Sequence, residues 1–427
     1  MTNAHLPEEI LFNHIFCRLP VKTILRFRSV CKAWNCMLRE PQLVKHHLKI
    51  HQQQACNDKK KKLLVRTKLT NFSNYFSSGT KVNSYYSIDC ESIVAASPPE
   101  IPGIVVSKVT HFLGSCNGLV AMIIAGNLTD ILLWNPSTGE SKHLIHTHPT
   151  LSICDLFGFV YDSIIDDYKI ICMGVIRFRE SHVDIYSLRN NSWKRVKGPP
   201  RNWDLAPAYF TQLAGVEVNG YFYWMVTYYR RDRRYPFILG FGLKDENLIY
   251  LKLPCDVMCE NYTGSYYNAT YVGLKAMGRS CIAAFRFYMN DKFLVWTSKD
   301  PEKQENKWEK LITLSLSSPE LKFTCSIRPL WFTMDGKVLL IIGLRGDEDQ
   351  HQHNFGVYDP QKKSLEFVQI YGMENTSCVM LTMEMEYIPS LVSPNMFDSG
   401  MRQVIDTNMR LDIGAKKRKR ACPSSSS

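Results

Sequence analysis

Apolar residues recur at helical spacing only near the start of this chain. Leu6, Ile10, Leu11 and Ile15 fall three and four residues apart, which is one face of a helix. Pro7 suits a first helical position, where its missing N–H would have no partner anyway. Leu19-Pro20 breaks that helix and Pro20 starts the next, with Val21, Ile24, Leu25 and Phe27 as its apolar set. Val30, Cys31, Trp34, Met37 and Leu38 mark a third helix, ended by Pro41. A domain this small buries only a modest fraction of its surface. So much apolar surface is expected to meet a partner rather than a private core.

Beyond residue 62 the helical period gives way to short β-rich runs separated by Asn-Gly, Asp-Gly and Pro turns. One unit recurs: an apolar strand ending in an aromatic, a polar turn, then a second strand. The aromatics are Trp134, Tyr186, Phe241, Trp296 and Tyr358, spaced by 52, 55, 55 and 62 residues. Each unit follows another strand pair, with turns at Asn117-Gly118, Asn219-Gly220 and Asp335-Gly336. Such dipeptides supply the positive φ angles of a type I′ hairpin. Four strands over about fifty residues approach the kelch-type propeller period. The spacing predicts about six blades, or seven if the final MLTMEMEYI strand closes the ring with early strands. LLVRTKL and NSYYSID are read as a degenerate first blade. The recurring aromatics are expected to pack between blades, since a ligand-stacking residue would occur once.

At 427 residues, with 45% apolar and 12% aromatic positions, the chain can build a sizeable core. No apolar run is long enough to span a bilayer, so no membrane contact is expected. MTNAHLPEE lacks the basic and apolar regions of a signal peptide. The 14 cysteines, scattered without a CxxC, are therefore expected to be thiols in a reducing compartment. On the same ground the six N-x-S/T sequons are expected to be idle. The net charge of +12 invites a nucleic-acid reading, but Lys59–Lys62 and Lys416–Arg420 supply much of it outside the repeats. Only Tyr228–Tyr235 interleaves arginines with tyrosines as a basic binding face would, so a nucleic-acid partner is not expected.

Chemistry-bearing motifs are sparse. Gly240-Phe241-Gly242 lacks the third glycine of a phosphate loop, and neither GxSxG nor HExxH occurs. His143, His146 and His148 with Cys154, and His351 with His353, read as polar loop and hairpin-tip residues rather than metal ligands. Asp166 and Asp167 are adjacent, so their carboxylates are expected to point apart. No catalytic residue, metal or cofactor is expected.

The segment Leu6–Leu48 resembles an F-box along its whole length, through LPEEI, the central LPVK followed by Leu25-Arg26, and the closing VCKAW. That resemblance implies binding to a Skp-type adaptor and, through it, to the cullin and RING subunits of a ubiquitin ligase. Carried over position by position, Leu6, Pro7, Ile10, Leu11, Ile15, Leu19, Pro20, Val21, Leu25, Val30, Cys31 and Trp34 are the implied adaptor contacts or their packing support. The region after it is similar to the F-box-associated, kelch-like region of plant F-box proteins, through FLGSCNGLV, LLWNPSTGE, GFVYDSIIDDYKII and VNGYFYW. That family includes S-locus F-box proteins and F-box regulators of immune receptors. The kelch double glycine is missing, so "kelch-like" describes the architecture.

The expected chain is mainly β with an N-terminal α-helical F-box and a kelch-like β-propeller. Its parts are the F-box at 1–50, a basic linker at 51–62, the propeller at 63–390, and a disordered tail at 391–427. The resemblance implies a non-catalytic receptor subunit whose propeller loops bind a protein target. The expected readers are Arg177–Ser181, Arg201–Pro207, Tyr228–Tyr235, Met258–Tyr267 and Arg345–His353. Tyr and Arg favour interface hot spots, which singles out Tyr228, Tyr229, Arg230, Arg231 and Tyr235. The alternative is a propeller that binds glycan or nucleic acid outside a ligase. Lys416, Lys417, Arg418, Lys419 and Arg420 fit a nuclear-import signal, giving an expected location in nucleus and cytoplasm.

Overall fold

The computed structural model describes residues 8–55, 61–69, 83–89, 94–96, 109–124, 129–146, 156–174, 181–199, 205–207, 214–230, 233–254, 271–278, 280–288, 292–303, 307–315, 321, 324–333, 335–345, 351–368 and 379–398. Short helices lead into six antiparallel sheets that form the blades of a β-propeller. Helix α1 (Glu8–Ile10) runs on through a π-helical turn, Leu11–Ile15, and a 3-10 turn, Phe16–Arg18. Then come α2 (Val21–Phe27), α3 (Lys32–Met37) and α4 (Pro41–Ala55). Pro41 therefore opens a fourth helix, where its missing N–H costs nothing. Residues 51–55, expected in a linker, continue that helix, and Lys62 already belongs to the first strand.

Blade one holds β1 (Lys62–Leu69), β2 (Asn83–Asp89) and β3 (Val94–Ala96). Blade two is β4 (Val109–Cys116), β5 (Leu119–Ile124), β6 (Asp130–Trp134) and β7 (Ser141–Ile145). Blade three is β8 (Leu156–Asp162), β9 (Asp167–Met173), β10 (His182–Ser187) and β11 (Ser192–Lys197). Blade four has β12 (Leu205–Pro207), β13 (Val216–Val218), β14 (Tyr221–Arg230), β15 (Arg233–Gly242) and β16 (Leu248–Leu251). Blade five is β17 (Tyr271–Met277), β18 (Cys281–Tyr288), β19 (Lys292–Lys299) and β20 (Glu309–Ser315). Blade six is β21 (Thr324–Phe332), β22 (Val338–Arg345), β23 (His351–Asp359) and β24 (Ser364–Val368). The last strand, β25 (Val379–Tyr387), pairs with β1 and completes blade one. The ring thus closes with six blades, and the final strand adds no seventh.

Six apolar clusters fill the six seams between blades. Trp134, Tyr186, Phe241, Trp296 and Tyr358 are all buried, each in the seam shared with the preceding blade. They are packing residues, repeated because each blade needs the same wedge. Asn117-Gly118 and Asn219-Gly220 both take positive φ, as a type I′ turn requires. Asp335-Gly336 differs. Only Gly336 has positive φ, and the loop is longer, closed by Thr333 N–H donating to Lys337 O at 2.9 Å.

Strand direction divides the connections between two faces. Turns from first to second and from third to fourth strand of a blade open on one face, the near face. Turns from second to third strand, and the crossings to the next blade, open on the far face. Both α4 and the chain after β25 join the propeller at the near face, where Lys62 lies opposite Tyr387.

The seam between blades two and three carries an ionic cluster around a buried carboxylate. Asp184, 1% exposed, accepts two hydrogen bonds from Arg195, Nε at 2.7 Å and Nη2 at 2.8 Å. His146 and His182 place Nε2 atoms 3.2 and 3.4 Å from Asp184 Oδ2. Burial opposes the charge, but these partners outweigh it and hold the carboxyl well below its usual range. A depressed folded pKa stabilises the fold above the unfolded carboxylate pKa and loses that contribution as pH falls through the folded value. Asp184→Ala removes the carboxylate that these side chains share and is expected to cost about 1–3 kcal/mol in denaturant unfolding at neutral pH. An unchanged midpoint would show that the cluster contributes nothing.

Candidate functional site

The helical segment is organised around a break at Leu19-Pro20. Leu19 and Pro20 are extended, with ψ of 149° and 146°. Pro20 O accepts the N–H of Thr23 at 2.9 Å and so starts α2. Leu19 O accepts Nε2–H of His47 from α4 at 2.9 Å, pinning the break from beneath. Phe16, Phe27 and Trp34 form a ring cluster with centroids 5.1 to 6.1 Å apart. Cys31 caps α3, its Sγ accepting Trp34 N–H at 3.4 Å.

These contacts sort the expected adaptor residues. Val21 is buried, and Leu11, Ile15, Leu19, Leu25 and Trp34 are half-buried. They hold the helices together more than they face outward. Ile10 (40% exposed) and Val30 (61%), with Pro20 and Cys31, form the outward set. Leu6 and Pro7 lie outside the described residues. The expectation of no private core needs correction. Phe16, Val21, Ile24, Leu38, Leu43 and Val44 are buried in a cluster continuous with the seam of blades two and three. The helical period missed Phe16, Leu43 and Val44, because the first turns are π and 3-10 and α4 opens on Pro41, which reads as the end of a helix.

The near face fixes the helices to the propeller. Lys45 of α4 pairs with Asp166 at 2.7 Å, and Gln52 donates to Asn117 Oδ1 at 2.6 Å. Asp166 also accepts from Tyr161 OH and from Arg189 Nη2, both at 2.6 Å. Burial opposes ionisation of Asp166, yet the Lys45 and Tyr161 hydrogen bonds and the Lys45 and Arg189 charges prevail and hold its carboxyl below the usual range. Asp167 turns the other way, accepting from Ser187 Oγ at 2.5 Å and Arg189 N–H at 2.8 Å. The adjacent carboxylates point apart, as expected.

The residues after β25 are the larger anchor, and they correct the tail boundary at 390. Leu391 and Val392 are buried in the cluster that joins helices and seam, with Met396 and Phe397 packed on it. Asn135, the asparagine of LLWNPSTGE, is fully buried. Its Nδ2 donates to Ser390 O at 3.1 Å and Val392 O at 2.7 Å. Ser390 Oγ donates to Asn117 O at 2.6 Å, and Lys142 pairs with Asp398 at 2.5 Å. Arg189 lies over the Phe397 ring at 4.6 Å. At Gly118, φ is 84° and an added Cβ would collide with Ser390 Oγ and the Ile388 carbonyl. Residues 388–398 are thus a strap across the near face of blades two and three, beneath the helices.

The strand ends that flank all five expected reader segments open on the far face, opposite the helices; Leu205–Pro207 are β12 itself, Arg345 ends β22, and Met258–Tyr267 lies wholly outside the described residues. Most of their residues, including Arg231, lie outside the described ones. Tyr228, Tyr229 and Arg230 are not in a loop: they extend β14, facing Tyr235, Arg234 and Arg233 of β15 in register. Tyr235 is half-buried. His143 lies in β7, and His351 and His353 lie in β23 rather than at a hairpin tip. His148 and Cys154, like the basic cluster 416–420, are outside the described residues. Among the described residues no group of three or more His, Cys, Asp or Glu is placed to hold a metal ion, and no helix is long and apolar enough to cross a membrane.

Comparison with known proteins agrees with this two-part build. An F-box-like model matches residues 3–49, and a model of the F-box associated beta propeller domain matches residues 34–394. The Arabidopsis thaliana F-box protein CPR1 is 26% identical over 365 residues, covering 79% of each chain. The F-box protein DOR of the same plant is 26% identical over 381 residues, covering 84% of this chain and 86% of its own. Among solved structures, TolB from Acinetobacter baumannii is similar at TM-score 0.40 and 12% identity, covering 76% of this chain and 68% of that one. That weak likeness has no bearing on function. The helices, the propeller and both matched regions place this chain in the family of F-box proteins that carry an F-box associated β-propeller.

Proposed function

We propose that the chain is the target-reading subunit of a Skp–cullin–F-box ubiquitin ligase. The F-box and its associated propeller together support a general substrate-adaptor role, in which the chain performs no ubiquitin chemistry itself. In the finer reading, the outward set around Ile10 and Val30 holds a Skp-type adaptor, and through it the cullin and RING subunits. The far face holds a protein target, with Tyr228, Tyr229, Arg230, Arg231 and Tyr235 as its leading contacts. The observation that carries this reading is the opposition of the two faces: the helices dock on the near face, and the strand ends that flank every expected reader segment open on the far one. Tethering then raises the effective concentration of target lysines near the ubiquitin carrier. The basic cluster Lys416–Arg420 supports import into the nucleus, with cytoplasmic synthesis giving both locations.

Proximity labelling with Val30→Asp, which disables the adaptor face, tests this directly. Targets should accumulate with that variant and disappear when Arg230→Glu and Arg234→Glu are added. Equal labelling with and without the far-face changes would place the reader elsewhere.

A further inference from the structure

The turn between β8 and β9 is unlike its counterparts. Asp162 and Asp167 are paired in register, leaving Ser163-Ile164-Ile165-Asp166 as the turn. Ile164 is 79% exposed and Ile165 51%. Single exposed apolar residues are ordinary, but consecutive β-branched residues in a tight turn are not, because turns select Gly, Asn, Asp and Ser. The same chain supplies the comparison. The equivalent turns of blades two and four are Asn117-Gly118 and Asn219-Gly220, and that of blade five contains Gly278 and Ser280. Among the described residues, the isoleucines occur in the near-face turn that an ion pair, Lys45–Asp166, ties to α4.

The turn is also held rigid. Asp162 Oδ1 accepts the Ile164 N–H at 3.0 Å, and Asp162 pairs with Lys169 at 2.8 Å. Asp166, which follows Ile165, is bound at once to Lys45 of α4, to Tyr161 and to Arg189. Arg189 in turn lies over Phe397 of the strap. Two apolar side chains are therefore displayed at a fixed position beside the helices, with their ordering cost met in advance, which is what an interface anchor needs.

We infer that Ile164 and Ile165 form a second contact for the adaptor held by the F-box, extending its footprint from the helices onto blade three. The inference rests on the adaptor reading proposed above. The occupant is the adaptor because the patch shares the near face with the helices and adjoins the residue that binds α4. A target on the far face cannot reach it. The partner surface it fits is an apolar flank of the adaptor next to its F-box groove.

The test uses the full chain and a purified Skp-type adaptor in a binding titration, comparing wild type with Ile164→Ser/Ile165→Ser. Binding is expected to weaken about tenfold, the change that 1.4 kcal/mol produces, with the unfolding midpoint unchanged. If the double variant is less stable, Ile164→Ser alone is read, since that side chain is the more exposed. Equal affinity for wild type and variant overturns the inference while leaving the F-box reading intact. Absence of binding by wild type overturns both. Self-association of the wild type without adaptor, lost in the variant, assigns the patch to a second copy of this chain and also overturns the inference.

Discussion

Ending the chain at Ile388 is expected to release the helices from the propeller. The strap buries Leu391 and Val392 in the joining cluster, each contributing about 1.5–3 kcal/mol. The polar ties that remain are weaker, Gln52–Asn117 among them. Lys45–Asp166 and Arg39–Glu140 are partly exposed ion pairs, worth at most about 1 kcal/mol each. The near face would also expose apolar surface of the blade two–three seam. Thermal unfolding should change from one transition to two, and protease should cut between α4 and β1 while the propeller stays folded. Asn135→Ala is the milder form. It removes the donor to Ser390 O and Val392 O, at about 1–3 kcal/mol for the buried groups left unpaired. A single transition at the wild-type midpoint in both variants would show that the strap does not couple the two parts.

Charge placed on the outward helical set should eliminate adaptor binding. Ile10→Asp/Val30→Asp changes two substantially exposed residues that are not members of the joining cluster, so the fold should keep its melting temperature. A carboxylate set into an apolar contact must be desolvated without a partner, and loss of a hot-spot pair costs at least about 3 kcal/mol, or more than about a hundredfold in affinity. The exposed pair is a better probe than Leu19-Pro20→Ala-Ala. Leu19 packs on the joining cluster, and Pro20 starts α2. That change would weaken the helices as well as the contact, and a loss of binding would then have two causes. Unchanged affinity of Ile10→Asp/Val30→Asp would remove these residues from the interface.

Much of this arrangement is legible in the sequence, because the propeller repeats its devices. The seam aromatics and the Asn-Gly turns each recur, and repetition separates packing from function. The F-box helices are legible through apolar spacing and two prolines. What escaped notice does not repeat. Leu391 and Val392 are two apolar residues between serines, too few for any period, and their burial depends on Asn135, some 250 residues away in sequence. The extension of α4 is hidden by polar residues that pack: His47 and His51 are buried and stacked with centroids 3.9 Å apart. The β14–β15 hairpin reads as a loop because arginine and tyrosine dominate its tip, although its ladder continues to Arg230 and Arg233.

In the proposed arrangement the adaptor and the target occupy opposite faces of one receptor. Amide hydrogen exchange of the full chain, with and without a saturating purified Skp-type adaptor, tests it most directly. New protection is expected in residues 8–34, with no change in the β14–β15 hairpin. Protection of that hairpin, or none in residues 8–34, would contradict it.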